Sequence, residues 1–185
     1  AVVVLSGSVP PGCPEDIYVK LVADCAGHCP VIVDTSRVHL RALLAAQARP
    51  GPAMIKPNRR EAEAALGAPL LDPEALAGGL RAFAARGVAM PLISDGAAGL
   101  YALADGTVWQ ARPPALQRVN SVGSGDATVA GLAAGRARGY EVEPMLRLAA
   151  AAGAANVLTK ECAEVRLEDV ARLTPQIELS PLTSR

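Results

Sequence analysis

A carboxylate set among small residues at the head of a helix is the feature of this chain best suited to chemistry. In Asn120-Ser121-Val122-Gly123-Ser124-Gly125-Asp126-Ala127 the two glycines let the backbone turn tightly and bring N–H groups close to a ligand. From Ala127 to Arg138 the composition is that of a helix. The unpaired amides and positive dipole end at its start favour a phosphate or a developing oxyanion. Asp126, just before that run, is placed to take a proton. The plainer reading is an ordinary helix start capped by Ser124 or Asp126. No lysine follows the glycines as a P-loop requires, and Thr128 stands where a dinucleotide fingerprint needs its third glycine.

Such a loop must be held by a folded core, and the composition supplies one. The chain has 185 residues, 51% of them hydrophobic, enough to bury a core of its own, with one domain as the default. Lys+Arg and Asp+Glu both total 18, so bulk charge points to neither nucleic acid nor a membrane surface, and any anion must be held locally. No leader pattern or bilayer-length apolar run occurs, and Cys13, Cys25, Cys29 and Cys162 are expected as reduced thiols, which together imply the cytoplasm. Cys25-Ala-Gly-His28-Cys29 lacks the order of a haem site and the further paired ligands of a zinc site. The chain opens inside a β-branched run, Ala1–Leu5, an unusual beginning that suggests missing N-terminal sequence and an exposed apolar edge.

Hydrophobic spacing and turn residues predict an α/β fold. Strands are expected at Val2–Leu5, Val31–Asp34 and Ala53–Lys56, alternating with helices at Glu15–Ala26, Val38–Ala46, Arg59–Leu66 and Pro73–Arg86, the mark of a mostly parallel sheet flanked by helices. Three strand-like runs follow, Met90–Ser94, Gly99–Ala104 and Thr107–Ala111. They form an antiparallel meander whose Asp105-Gly106 step suits a type I′ turn. Helices return at Ala127–Arg138, Pro144–Leu158 and Leu167–Leu173, and residues from Pro175 onward are expected as a frayed tail. In such sheets ligands gather beyond the carboxyl ends of the strands. Ser6–Gly12, Asp34-Thr-Ser36, Lys56-Pro-Asn58 and Ser94-Asp-Gly96 all follow strands, and so belong to the same rim as Gly123–Asp126.

Four motifs on that rim, Ser6-Gly-Ser-Val-Pro-Pro-Gly12, Lys56-Pro-Asn-Arg-Arg-Glu61, Ser94-Asp-Gly-Ala-Ala-Gly99 and Asn120-Ser-Val-Gly-Ser-Gly-Asp126, carry a resemblance to a known family. In order and separation they resemble the ribokinase-like, or PfkB, sugar kinases. The nearest branch is the phosphosugar one, with 1-phosphofructokinase, 6-phosphofructokinase II and tagatose-6-phosphate kinase. Asn120, where the ribokinase side typically has Asp, favours that branch. The resemblance implies the ribokinase-like fold, with residues 1–174 as its C-terminal nucleotide-binding and catalytic part and 175–185 as a tail. The family's N-terminal sugar-binding strands and lid have no counterpart here.

The resemblance also implies roles. Asp126 is the base for the acceptor hydroxyl, Gly123, Ser124 and Gly125 with Asp126 form the anion hole, and ATP is the phosphoryl donor. Asn58 and Glu61 match an N-x-x-E motif that organises Mg²⁺ and phosphates, partly through water; three apart at a helix start, they share a face. The local alternative is a capping box between them. Lys56, Asn58, Ser94, Gly96, Gly99, Gly125 and Asn156 fall where the family contacts the nucleotide, and Ser8 where it contacts the phosphosugar. Taken alone, Lys56 would be a solvated strand-end charge, Ser94–Gly99 a hairpin turn, and Asn156 part of a packed Ala-rich helix. Asp95 departs from the family, where the position is uncharged, and is expected to point away from the nucleotide.

Three readings follow. The first is the catalytic part of an ATP-dependent phosphosugar kinase, inactive by itself and a homodimer when complete, with fructose 1-phosphate, fructose 6-phosphate and tagatose 6-phosphate all open as substrates. The second is a nucleotide-binding or regulatory fragment without turnover. A Rossmann oxidoreductase is disfavoured, because prolines occupy the place where its first helix should start.

Overall fold

The computed structural model describes residues 1–182. Seven strands lie in one sheet in sequence order: β1 (Val3–Ser6), β2 (Val31–Asp34), β3 (Met54–Ile55), β4 (Met90–Ser94), β5 (Leu100–Ala104), β6 (Thr107–Arg112) and β7 (Glu178–Pro181). β1 to β4 run parallel, with Val3 opposite Val31, Ile32 opposite Met54 and Met54 opposite Met90. Helices α1 (Ile17–Cys25), α2 (Arg37–Ala46), and the pair α3 (Arg59–Leu66) and α4 (Pro73–Ala85) fill the connections, since parallel neighbours need long crossovers. The α/β expectation of a parallel sheet followed by a meander is met.

The chain divides into two compact units. The first comprises residues 1–93 and 102–108 with Leu182. Its core is aliphatic: Val31, Ile32 and Val33 are buried in succession, as a strand covered on both faces requires. Leu40 and Leu44 of α2 and Leu76, Leu80 and Phe83 of α4 are buried as well. Local punctuation sets the helix ends. Asp72 accepts from the Ala75 amide ahead of Pro73, and Gly67, at φ 71°, stops α3 where a left-handed residue is needed.

The second unit comprises residues 94–101 and 109–181. Its centre is the packing of α5 (Ser124–Ala137) on α6 (Val142–Asn156), followed by α7 (Leu167–Leu173). Small residues bring the two helices together: a Cβ on Gly131 would lie 2.6 Å from the Cα of Ala149, and one on Gly153 2.3 Å from Thr128 Oγ1. Close backbone approach gives this small-residue helix pair the contact density that larger side chains would otherwise supply.

Two expectations are corrected. The stretch after Pro175 is not a frayed tail as far as it is described: Glu178–Pro181 pairs antiparallel with β6, Leu179 opposite Ala111, and Ile177 is buried. Its end, residues 183–185, lies outside the described residues. Helix α5 begins at Ser124 rather than Ala127, because Gly123 adopts φ 86° and itself serves as the N-cap. The Asp105-Gly106 turn has φ 48° and 78°, the two positive values expected of it. Among the described residues no helix is long and apolar enough to cross a membrane, and the four cysteines are free thiols.

Candidate active site

In the second unit, Asp126 lies in the first turn of α5 and is exposed, with Ser124 and Gly125 ahead of it in the same turn. Its N-cap, Gly123, has no side chain to offer. Ser124 Oγ donates to the Ser121 carbonyl (2.9 Å), so the Ser124 side chain does not hold the cap position, which Gly123 takes. The first amides of an α-helix have no intrahelical partner, which makes this turn suitable for an anion. Asn120 shapes the approach: its Oδ1 accepts from the Val122 amide (3.0 Å) and its Nδ2 donates to the Lys160 carbonyl (3.0 Å).

Ser94, Gly96 and Gly99 belong to a closed loop in the same unit. Residues Gly96–Ala98 form one 3₁₀ turn, with Gly96 at φ 50° and Gly99 at φ 94°. The Asp95 amide donates to the Gly99 carbonyl (2.8 Å) and the Gly99 amide to that of Gly96 (3.1 Å). Gln110, buried on β6, fixes the loop by donating to the Ala98 carbonyl (2.9 Å). Asn156 is fully buried at the end of α6; its Nδ2 donates to the Glu164 carbonyl (3.0 Å) and its Oδ1 has no partner. The Asn156 side chain thus holds one buried bond and leaves one acceptor open.

In the first unit, Lys56 is neither solvated nor unpaired. It is 2% exposed, and its Nζ lies 2.9 Å from Asp34 Oδ2. Adjacent parallel strands in the register Val33 opposite Ile55 bring Asp34 alongside Lys56. Asn58 and Glu61 form a full capping box: Asn58 Oδ1 accepts from the Glu61 amide (3.0 Å), and the Asn58 amide donates to Glu61 Oε2 (2.8 Å). The local alternative is thus realised. It does not consume Glu61 Oε1, a hard oxygen donor of the kind magnesium accepts through water. Among the described residues no three His, Cys, Asp or Glu gather, but magnesium held mostly by phosphate and water needs no such cluster.

Ser8 is exposed on the loop after β1. That loop is pinned at Gly7, whose amide donates to the Asp34 carbonyl (2.9 Å) and whose carbonyl accepts from Tyr18 Oη (2.8 Å) and Thr35 Oγ1 (3.2 Å). Ser8 is therefore tied through Gly7 to the residue that pairs with Lys56. Sequence reasoning placed Asp34 on the rim without a role; its register match to Lys56 was the missing signal. Gln110 and the stretch after Asn156 carried no such signal.

A parallel α/β sheet, a glycine-capped helix start bearing a carboxylate, and a second glycine loop are of the sugar-kinase type. The model of the pfkB family carbohydrate kinases matches residues 1–169, and the chain belongs to that family. It is 45% identical over 151 residues to a 1-phosphofructokinase of Xanthomonas campestris pv. campestris, covering 80% of this chain and 48% of that protein. A putative phosphofructokinase structure from Staphylococcus aureus superposes with a TM-score of 0.87 at 27% identity, covering 100% of this chain and 58% of the other. Phosphofructokinase-2 from Escherichia coli gives 0.87 at 25% identity, over 95% of this chain and 56% of the other. The chain spans about half the length of the relatives it matches.

Proposed function

We propose that residues 1–174 are the nucleotide-binding and catalytic part of an ATP-dependent phosphosugar kinase, with Asp126 as its base. The observation that carries this reading is the α5 start. An exposed carboxylate stands in the first turn of a helix whose cap is a left-handed glycine. The 45% identity to a 1-phosphofructokinase supports a phosphosugar as acceptor, fructose 1-phosphate first. Fructose 6-phosphate and tagatose 6-phosphate are the other candidates, and the complete enzyme is taken to be a homodimer.

In this reading the amides of Gly123–Asp126 hold the transferring phosphate, and Asp126 accepts the proton of the acceptor hydroxyl. The hydroxyl oxygen then bonds to the γ-phosphorus as the bond to the bridging oxygen breaks, and ADP leaves. Catalysis of this kind rests on positioning and charge stabilisation, so no Walker lysine is required. Asn58 and Glu61 would hold magnesium through water, and magnesium, when bound, would neutralise phosphate oxygens. Lys56, Ser94, Gly96, Gly99 and Asn156 contact the nucleotide, and Ser8 the phosphosugar.

The test is a chimera in which this chain follows the N-terminal half of the Xanthomonas 1-phosphofructokinase. Asp126→Asn keeps the size and capping ability of the side chain but removes the proton acceptor, so kcat should fall by about 10²–10⁴-fold while KM for ATP changes little. A kcat within a few-fold of the parent chimera would remove Asp126 as the base. A nucleotide-binding or regulatory fragment without turnover is the second reading. It predicts Mg·ATP binding by the chain and no turnover in the chimera.

A further inference from the structure

We infer that Asn156 and Thr159 are positioning residues for the phosphate-binding loop, acting on Gly123 through Ala163; the inference rests on the kinase reading above for its functional consequence. All the parts lie in the second unit. Thr159 is 1% exposed, and its Oγ1 is within hydrogen-bonding distance of the carbonyl oxygens of Asn156 (2.8 Å), Glu161 (3.1 Å) and Glu164 (3.4 Å). One hydroxyl proton serves one of them at a time. Asn156 Nδ2 holds the Glu164 carbonyl as well, at 3.0 Å. Two buried polar side chains therefore tie up the irregular segment between α6 and α7, which has no backbone ladder of its own.

The other side of this segment faces the loop before α5. The amides of Val119 and Asn120 both donate to the Val157 carbonyl (2.8 and 3.3 Å), Asn120 Nδ2 donates to the Lys160 carbonyl, and the Ala163 amide donates to the Val122 carbonyl (3.4 Å). Contact closes at Gly123. A Cβ there would lie 2.3 Å from the Ala163 nitrogen and 2.6 Å from its Cα. Ala163 is itself a non-glycine residue at φ 57°, a conformation that L side chains adopt only when their surroundings enforce it. The enforcing surroundings are the ties of Asn156 and Thr159 on one side and the Gly123 backbone on the other. The left-handed cap that aims the α5 amides is thus braced by a segment that need not touch the ligand.

The experiment compares Thr159→Val, which removes the hydroxyl proton at nearly constant shape, with Thr159→Ser, which keeps it. Amide hydrogen exchange is read at Val122 and Ala127 in the loop and at Leu132 and Leu146 inside α5 and α6, and Mg·ATP affinity is read by calorimetry on the same 185-residue chain. In Thr159→Val the loop amides should exchange about 10-fold faster while Leu132 and Leu146 keep their protection, and Mg·ATP should bind about 10-fold more weakly, as loss of one buried tie implies. Thr159→Ser should restore both. Unchanged exchange at Val122 and Ala127 in a folded Thr159→Val chain would overturn the inference. Should that variant not fold, Ala163→Val decides: a β-branched residue at φ 57° against Gly123 must displace the loop, and unchanged Val122 and Ala127 exchange overturns the inference equally. Loosened loop amides in a chain whose parent binds no Mg·ATP would sustain the brace, and the kinase reading would then stand or fall on the chimera.

Discussion

Lys56 Nζ sits 2.9 Å from Asp34 Oδ2, with the lysine 2% and the aspartate 17% exposed. The pair joins the ends of two neighbouring strands, and the Gly7 amide bonds to the Asp34 carbonyl, so the pair also anchors the loop that carries Ser8. Its two members differ in burial, and that difference is measurable.

Removing Asp34 leaves a buried ammonium without its carboxylate, whereas removing Lys56 leaves a carboxylate that water can reach. Asp34→Ala should therefore cost about 3–5 kcal/mol in urea denaturation, and Lys56→Met less than half of that. The reverse ranking would show that the lysine is solvated in the folded chain. If Lys56 also meets a phosphate, Lys56→Met will lower Mg·ATP affinity while the chain stays folded.

The capping box allows its structural and ligand roles to be separated. Glutamine can replace glutamate in such a box, so Glu61→Gln should leave stability within about 0.5 kcal/mol. Asn58→Ala, which loses the cap, should cost about 1 kcal/mol. If Glu61 serves magnesium, the magnesium concentration needed for half-maximal ATP binding should rise several-fold in Glu61→Gln. No change in that titration would leave Glu61 as a cap alone.

Gly153 of α6 meets the first turns of α5, where a Cβ would be 2.3 Å from Thr128 Oγ1 and 3.2 Å from the Ser124 carbonyl. Thr128 Oγ1 in turn donates to that carbonyl (2.8 Å). Gly153→Ala should destabilise the chain by about 1–3 kcal/mol in thermal denaturation through overpacking. Adding Thr128→Ala should recover part of the loss, a coupling expected of residues in contact. Strict additivity would place the cost elsewhere.

β1 lies at one end of the strand order, and Val4 on it is 40% exposed. β7, at the other end, carries Glu178 and Pro181, residue types that discourage edge pairing. Association of the chain should therefore proceed through β1. Val4→Lys should lower the self-association seen by sedimentation velocity at raised concentration, and an unaltered profile would exclude that edge.

Elements with their own punctuation were legible without the fold. α3 keeps the bounds Arg59–Leu66 because Asn58 caps it and Gly67 ends it, and β4 and α7 likewise occupy the residues their patterns indicated. Gly123–Asp126 was legible as a helix start, but glycine, serine and aspartate serve there as caps as readily as around an anion, so the local pattern alone did not choose between the two. The start itself was misplaced by three residues. Glycine and serine are poor helix formers, so the local pattern put the start at Ala127, whereas the left-handed Gly123, packed on Ala163, caps a helix that begins at Ser124.

The sequence by itself determined the alternation of strands and helices, the turn chemistry at Asp105-Gly106, and the residue types able to bind phosphate and carry a proton, since these depend on neighbours a few residues apart. Tertiary structure decided what depends on distant partners. Register on β2 and β3 turned Lys56 from a strand-end charge into half of a buried ion pair. Pairing with β6 turned the stretch after Pro175 into a strand, and Thr159, unremarkable in sequence, became a buried tie behind the loop. No local pattern encodes such contacts, because the free energy that enforces them arises only when the two segments meet and exclude water together.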